Sequence, residues 1–285
     1  RCGRGAVNVF LQVGTVGIAE VEYMKRKTPD LFDLTGHVAV ITGGGRGIGE
    51  GIAKSFSDAG AAVVVAARRT NEIERVASEI RDAGGEAIAV TTDVTDTQAV
   101  EELARAAVSE FGRLTVWVNN AGGSSVHSPL VELEREEWDR TIELNLTAVF
   151  VGSRIAAKYI EKGSIINISS GAGTKAVPKS GHYGASKAGT NSLTWTFAAE
   201  LAPDIRVNAV MPGAIPTEIM LKATGLKEDE ILDAWDIPMG RVGTPQDIGA
   251  ACLYLASDAA SWVTGELLRV GGGAKPRGGN FANEK

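Results

Sequence analysis

The chain has 285 residues, 44% hydrophobic and 22% charged, with a formal net charge of −6, a composition that suits one large α/β domain with a sizeable core. No basic run offsets the acidic balance, so a nucleic-acid partner is not expected. Only two cysteines occur, Cys2 and Cys252, which excludes a disulfide framework or zinc spacing and fits a reducing, cytoplasmic setting.

Residues 7–21 are moderately apolar, but Asn8, Gln12, Thr15 and Glu20 interrupt them. They are too polar and too short to span a bilayer, and no clean signal-peptide core is present. Residues 1–33 are therefore expected to be an extension outside the fold. The domain is expected over 34–275, with 276–285 as a glycine-loosened tail.

From His37 onward, short apolar runs alternate with amphipathic ones. Strands are predicted at 38–42, 62–67, 87–91, 115–119, 164–169, 206–210 and 267–270. Helices are predicted at 49–59, 71–83, 97–111, 136–161, 183–201 and 246–256. This alternation predicts a single α/β domain: a doubly wound parallel sheet of about seven strands with helices on both faces. The strands are almost entirely apolar, as burial on both sides requires.

The first strand runs into Thr42-Gly43-Gly44-Gly45-Arg46-Gly47-Ile48-Gly49. Glycines permit a tight turn and close backbone approach to a pyrophosphate, and the helix that follows offers unpaired N–H groups and a favourable dipole. The spacing is G-x-x-x-G-x-G, so the common G-x-G-x-x-G fingerprint does not match as written. A ligand-free strand–helix turn is the competing reading. At the end of the second strand, an acidic residue would hold ribose hydroxyls. Ala67 stands there instead, followed by Arg68 and Arg69. A guanidinium forks onto a 2′-phosphate, and Arg46 would approach from the other side. The cofactor expected is thus NADP(H) in preference to NAD(H).

Tyr183 and Lys187 are four residues apart, which on a helix places a phenol and an ammonium on one face. A free phenol titrates near pH ~10 and is a poor acid–base catalyst at neutrality. A fixed positive charge favours the phenolate and lowers that value.

Together these segments closely resemble the short-chain dehydrogenase/reductase family. The matching motifs run in order: the 42–49 turn, Asp93-Val94, Asn119-Asn120-Ala121-Gly122, Asn145, Ser170, Tyr183, Lys187, and Pro212-Gly213 through Thr217. They span roughly residues 37–273. The resemblance implies a Rossmann-type sheet and an oxidoreductase that interconverts a ketone and a secondary alcohol with NAD(P). It implies that Tyr183 is the general acid–base, that Lys187 tunes it and binds the nicotinamide ribose, and that Ser170 bonds the substrate oxygen. Asn145 would hold a water in a relay to Lys187. Thr42, Gly43, Gly45, Arg46, Gly47, Ile48 and Gly49 would cradle the phosphates, with Arg68 and Arg69 beyond them. Asp93 and Val94 would contact adenine. Asn119, Ala121 and Gly122 would line the cofactor, and Pro212, Gly213, Ile215 and Thr217 the nicotinamide. Each residue also has a plainer reading: Ser170 as a strand end, Asn145 as a satisfied helix-pair residue, Asn119 and Asn120 as a turn.

Other constellations fail. Gly184-Ala185-Ser186-Lys187-Ala188 lacks the last glycine of a nucleophile elbow and lies in a helical pattern. His37 is expected to be exposed. His182 is expected to be solvent-exposed or to shade the pocket mouth, and His127 to lie near substrate or in solvent. No metal-ligand spacing appears. Residues 216–243 carry Ile219, Met220, Leu221, Ile231, Trp235 and Met239 among polar residues. They are expected either to form a lid whose apolar side suits a bulky ketone or to pack on the domain. The later segments look most like bacterial hydroxysteroid dehydrogenases of the 7α kind, pointing to a steroid-like or cyclic small-molecule substrate. A 3-oxoacyl thioester reductase is the nearest alternative, without the basic patch its acidic carrier would want. A non-catalytic dinucleotide sensor is the second alternative. The resemblance also implies a homotetramer, with no membrane partner.

Overall fold

The computed structural model describes residues 27–124 and 126–274. Residues 1–26 of the expected extension and the expected tail 276–285 lie outside the described residues. The strands are β1 (Val38–Thr42), β2 (Ala62–Ala67), β3 (Ala87–Thr91), β4 (Val116–Asn119), β5 (Gly163–Ile168), β6 (Ile205–Pro212) and β7 (Leu267–Val270). The helices are α1 (Gly47–Asp58), α2 (Thr70–Asp82), α3 (Thr97–Phe111), α4 (Arg135–Ile142), α5 (Ala148–Tyr159), α6 (Gly181–Leu201), α7 (Glu218–Thr224), α8 (Glu228–Ala234) and α9 (Pro245–Ala256).

All seven strands pair in parallel in the order β3-β2-β1-β4-β5-β6-β7. The order reverses direction between β1 and β4. In open α/β sheets that reversal opens a crevice at the carboxyl ends of the strands.

Side-chain alternation sorts the strand residues onto two faces. Ala39, Ile41, Val63 and Val65 join Ile52 and Phe56 of α1, Ile73 and Val76 of α2 and Ile248 of α9 in one core. Val38, Val40, Val64 and Trp117 join Leu103 of α3 and Ile155 of α5 in the other. Each fully buried Ile, Leu or Phe contributes about 1.5–3 kcal/mol relative to exposure.

Local chemistry sets the helix ends. The Asp96 carboxylate accepts from the amides of Gln98 and Ala99 to start α3, and Gly112 ends it at φ 78°, a left-handed conformation that favours glycine. Thr244 and Asp247 form a reciprocal capping box on α9, with Pro245 in its first turn.

Two expectations change. The 3-10 turn Thr28–Phe32 touches the domain, where Phe32 lies 6.4 Å from the Tyr254 ring, and Leu34 is fully buried. The last residues of the expected extension are therefore in contact with the fold. The helix predicted over 136–161 is two helices, α4 and α5, joined by a π turn at Glu143–Thr147. A one-residue bulge barely disturbs hydrophobic periodicity, so the pattern does not reveal it.

Candidate active site

The site forms at the carboxyl ends of β1, β4, β5 and β6. Thr42 ends β1, and its hydroxyl donates to the Val118 carbonyl (3.1 Å) while accepting from the amides of Asn120 (3.0 Å) and Ala121 (3.1 Å). The Asn120 side-chain amide donates to the carbonyls of Thr42 (2.8 Å) and Gly43 (3.1 Å). These bonds lock the glycine turn to the loop after β4 across the crevice. Gly43 and Gly47 have φ of 65° and 54°. A Cβ on Gly49 would lie 2.2 Å from the Gly43 carbonyl oxygen, so the turn closes only with glycine there. No side chain caps the first turn of α1, in contrast to α3 and α9, which leaves its leading amides available to an anion. This uncapped helix end, beneath a cradle that a Cβ would fill, fits a dinucleotide pyrophosphate.

The basic residues are less free than the sequence suggests. Arg46 pairs with Glu218 at the start of α7 and lies 4.0 Å from Glu72, so it does not point freely at a 2′-phosphate. Arg69 pairs with Glu72 at 2.8 Å. Arg68 is 73% exposed and stands 3.9 Å from Asp93. Ala67 does end β2, so no carboxylate occupies the ribose position. Asp93 also accepts from the Thr95 amide and hydroxyl, and Val94 packs on the second core.

Beyond β5, Ser170 caps the short 3-10 turn Gly171–Thr174 by accepting from the Ala172 amide at 3.1 Å. Its hydroxyl also hydrogen-bonds the Tyr183 phenol. Tyr183 lies in the first turn of α6, and the Lys187 Nζ is 5.6 Å from the centroid of its ring. The expected helical face therefore exists. The electrostatics differ from the expectation: burial pushes the phenol pKa up, and the Ser170 bond only partly offsets this. Lys187 is 3% exposed, and burial lowers its ammonium to about 8. Its ammonium donates to the Ile168 carbonyl at 2.9 Å and not to the phenol. A cation that is itself desolvated, and whose donor faces a carbonyl, does not dominate the phenol's titration.

Asn145 sits in the π turn, fully buried. Its Oδ1 accepts from the Gly123 amide (2.8 Å), and its Nδ2 donates to the carbonyls of Gly123 (2.9 Å) and Thr141 (3.0 Å). A Cβ on Gly122 would come within 2.7 Å of Asn145 Oδ1 and 3.4 Å of Lys187 Nζ, which places the two groups around one glycine.

Sequence reasoning missed the polar scaffold beneath. Trp117 Nε1 donates to Asn119 Oδ1 (2.7 Å), and Asn119 Nδ2 donates to Asn167 Oδ1 (2.9 Å). Asn167 Nδ2 donates to Thr194 Oγ (2.9 Å), and the Thr190 hydroxyl donates to the Asn145 carbonyl (3.0 Å). Runs of Thr and Asn along α6 were the available signal. Satisfied buried polar groups of this kind specify one arrangement, because each would be costly unpaired.

The 216–243 segment contacts the site at three points. Thr217 caps α7 through the Met220 amide and stands over Gly47; Glu218 takes Arg46; Ile219 faces Gly123. Pro212 ends β6, and Gly213 donates to the Val270 carbonyl at 2.8 Å. Ile215 is 4% exposed in the first core, so its side chain is spent on packing. Much of the apolar side of residues 216–243 is likewise spent on packing, with Ile231 and Ile237 clustering on Ala214.

His182 is fully buried, with Nε2 3.0 Å from Ser124 Oγ, contrary to the solvent exposure expected for it. His127 is exposed and lies 3.2 Å from Ser180 Oγ. His37 is half-buried beside Thr115. A separate concavity of about 670 Å³, lined in part by His37, Arg81 and Arg113, opens at the amino ends of the strands, remote from this chemistry. Among the described residues there is no cluster able to hold a metal and no helix long and apolar enough to cross a membrane.

Comparison with known proteins agrees with this geometry. The family model described as enoyl-(acyl carrier protein) reductase matches residues 43–275. The chain is 43% identical over 247 residues to 3β-hydroxysteroid dehydrogenase 1 of Eggerthella lenta, covering 85% of this chain and 94% of the relative. It is 36% identical over 244 residues to a 3-oxoacyl-(acyl-carrier-protein) reductase of Thermotoga maritima, covering 84% and 98%. A solved structure of 7α-hydroxysteroid dehydrogenase, complexed with NADH and 7-oxo glycochenodeoxycholic acid, superposes with a TM-score of 0.82 at 38% identity, covering 87% of this chain and 98% of that one. With the parallel sheet, the glycine cradle and the Ser170–Tyr183–Lys187 arrangement in place, the chain belongs to the short-chain dehydrogenase/reductase family of oxidoreductases that act on CH–OH groups.

Proposed function

We propose that the enzyme interconverts a ketone and a secondary alcohol on a hydrophobic, steroid-like or cyclic substrate, with NADP(H) preferred over NAD(H). The observation that carries this reading is the convergence of Ser170, Tyr183 and Lys187 beside the uncapped glycine turn. The hydroxysteroid dehydrogenases among its relatives support the substrate class. The absent carboxylate at Ala67 and the exposed Arg68 support the cofactor choice.

In the reductive direction, the Tyr183 hydroxyl donates its proton to the substrate carbonyl oxygen, and in the oxidative direction its phenolate takes the proton back. The raised phenol pKa keeps that proton on Tyr183 at neutrality, which suits a general acid. The Ser170 hydroxyl donates a hydrogen bond to the same oxygen and steadies the developing alkoxide. The nicotinamide nucleotide, when bound, supplies or accepts the hydride. The turn at 42–49 would hold its phosphates, Lys187 its ribose hydroxyls, and Pro212, Gly213 and Thr217 would flank its ring. Both Nδ2 protons of Asn145 are donated within the protein, so any water it serves donates to a remaining lone pair, on Oδ1 or on the backbone carbonyl beside the Thr190 hydroxyl.

A thioester substrate is the competing reading, favoured by the acyl-carrier reductase relative. A screen of steroid ketones, cyclic ketones and 3-oxoacyl thioesters with both cofactors, on wild type and Tyr183→Phe, tests both. The expected result is fastest turnover of a steroid or cyclic ketone with NADPH, abolished in Tyr183→Phe, while cofactor binding persists. Turnover retained by the phenylalanine variant would remove the mechanism.

We further propose a cytoplasmic homotetramer built from domain 34–275. Phe150 on α5 and Trp195 on α6 are 41% and 53% exposed, which supports pairing of those helices between subunits. Light scattering that gives a monomer would exclude it.

A further inference from the structure

One cluster beside the site has no part in the chemistry above. Residues 123, 124 and 126–130, after β4, are stitched to residues 179–182, which lead into α6. The Ser128 amide donates to the Lys179 carbonyl at 3.0 Å. Lys179 has φ 63°, a strained choice for a residue with a side chain. Leu130 covers Gly181, where a Cβ would fall 2.6 Å from Leu130 Cδ1. His127 Nδ1 and Ser180 Oγ are 3.2 Å apart. His182, immediately before Tyr183, meets Ser124 Oγ through Nε2 at 3.0 Å.

The neighbours fix the proton at that last contact. Ser124 Oγ is 3.2 Å from the Val126 carbonyl, which can only accept, so the hydroxyl donates there. Ser124 therefore accepts from His182, which is the neutral Nε2–H tautomer. His182 Nδ1 is left as a buried lone pair that no donor among the described residues meets. Burial keeps the imidazole below its ordinary pKa; His127 adds to that, while Glu137 and the Val126 carbonyl oppose it. A buried, half-satisfied imidazole is costlier than an apolar residue of the same shape, so its satisfied nitrogen needs a purpose.

We infer that His182 is a positioning residue: through Ser124 it holds the segment after β4 against the first turn of α6 and so fixes one wall of the substrate cleft beside Tyr183. The same segment is gripped on its other side by Asn145 through Gly123, and Gly123 faces Ile219 of α7. The segment thus stands between the π turn, α7 and the catalytic helix. Loosening it disturbs where a substrate rests while leaving the glycine turn intact. The inference rests on the ketone–alcohol reading for its kinetic readout.

The test uses His182→Leu, His182→Gln, Ser124→Ala and the His182→Leu/Ser124→Ala double variant of the full chain. The first and third are each expected to raise KM for the best ketone about tenfold, with kcat changed by less than about threefold. The double variant should be no worse than about the poorer single one, because both remove the same contact. Gln carries a donor at similar reach and should restore most of the loss. NADPH affinity should be unchanged in all four. In amide hydrogen exchange, Gly123, Val126 and Ser128 should exchange faster in His182→Leu, with β5 amides unaffected. Additive KM effects, a fall in kcat alone, or unaltered exchange at those three amides would overturn the inference. If the leucine variant does not fold, the Ser124→Ala and His182→Gln comparison decides. If wild type reduces no ketone, the substrate reading has failed, and the exchange result still judges the clamp by itself.

Discussion

Replacing Lys187 with methionine separates what the buried ammonium costs the fold from what it gives the site. Burial lowers the group to about 8, against about 10.5 in an unfolded chain. The folded state therefore binds fewer protons than the unfolded state between those values, so stability rises with pH across that window. Below pH 8 both states carry the charge, and the folded state bears its full desolvation cost of about 3 kcal/mol, since one pKa unit is about 1.4 kcal/mol. By about pH 9.5 the same linkage leaves about 1.5 kcal/mol of that cost, and little remains above about pH 10.5. Methionine has no such charge. It also leaves the Ile168 carbonyl without its donor, a penalty of about 1–3 kcal/mol that does not vary with pH. The diagnostic quantity is thus the difference between two denaturation series, followed from pH 7 to pH 9.5. Wild type should gain about 1.5–2 kcal/mol on the variant over that range, while the variant loses nearly all turnover at every pH. Parallel stability curves would refute the reasoning, because they would mean that the ammonium is not desolvated in the folded protein.

Gly49→Ala should abolish binding of either nicotinamide nucleotide in a fluorescence titration, since its Cβ would overlap the Gly43 carbonyl oxygen; tight residual binding would show that the turn can open. Arg68→Ala should weaken NADPH binding about tenfold or more and NADH binding about twofold or less, given the strength of a charge-assisted bond; equal losses would overturn the cofactor preference. Arg206→Leu should lower unfolding stability by about 1–3 kcal/mol in urea, because its guanidinium donates to the carbonyls of Leu255, Ala256 and Ser257 at the end of α9. An unchanged midpoint would mean that water satisfies those carbonyls equally well.

The seven strands and most helices were legible because strand alternation and helix periodicity are local, and both faces of this sheet demand apolar residues. The glycine turn was legible for a related reason: its steric requirement leaves only one residue type at positions such as Gly49. Tyr183 and Lys187 declared their shared face through spacing alone. Other features depend on contacts between segments far apart in sequence. Arg46 reads as a phosphate ligand until Glu218, in a different element, is brought to it. His182 reads as a surface residue in a polar stretch until Ser124 and Leu130 close over its segment.

Sequence by itself determined the layer architecture, the glycine turn and the identity of the phenol–ammonium pair, because each follows from periodicity or from what a backbone turn will tolerate. The tertiary structure alone decided the π turn at Asn145, the buried hydrogen-bond chain from Trp117 to Thr194, and the direction in which the Tyr183 and Lys187 protons shift. Desolvation and polar satisfaction are properties of a packed neighbourhood, and no stretch of contiguous residues encodes how much water its side chains will lose.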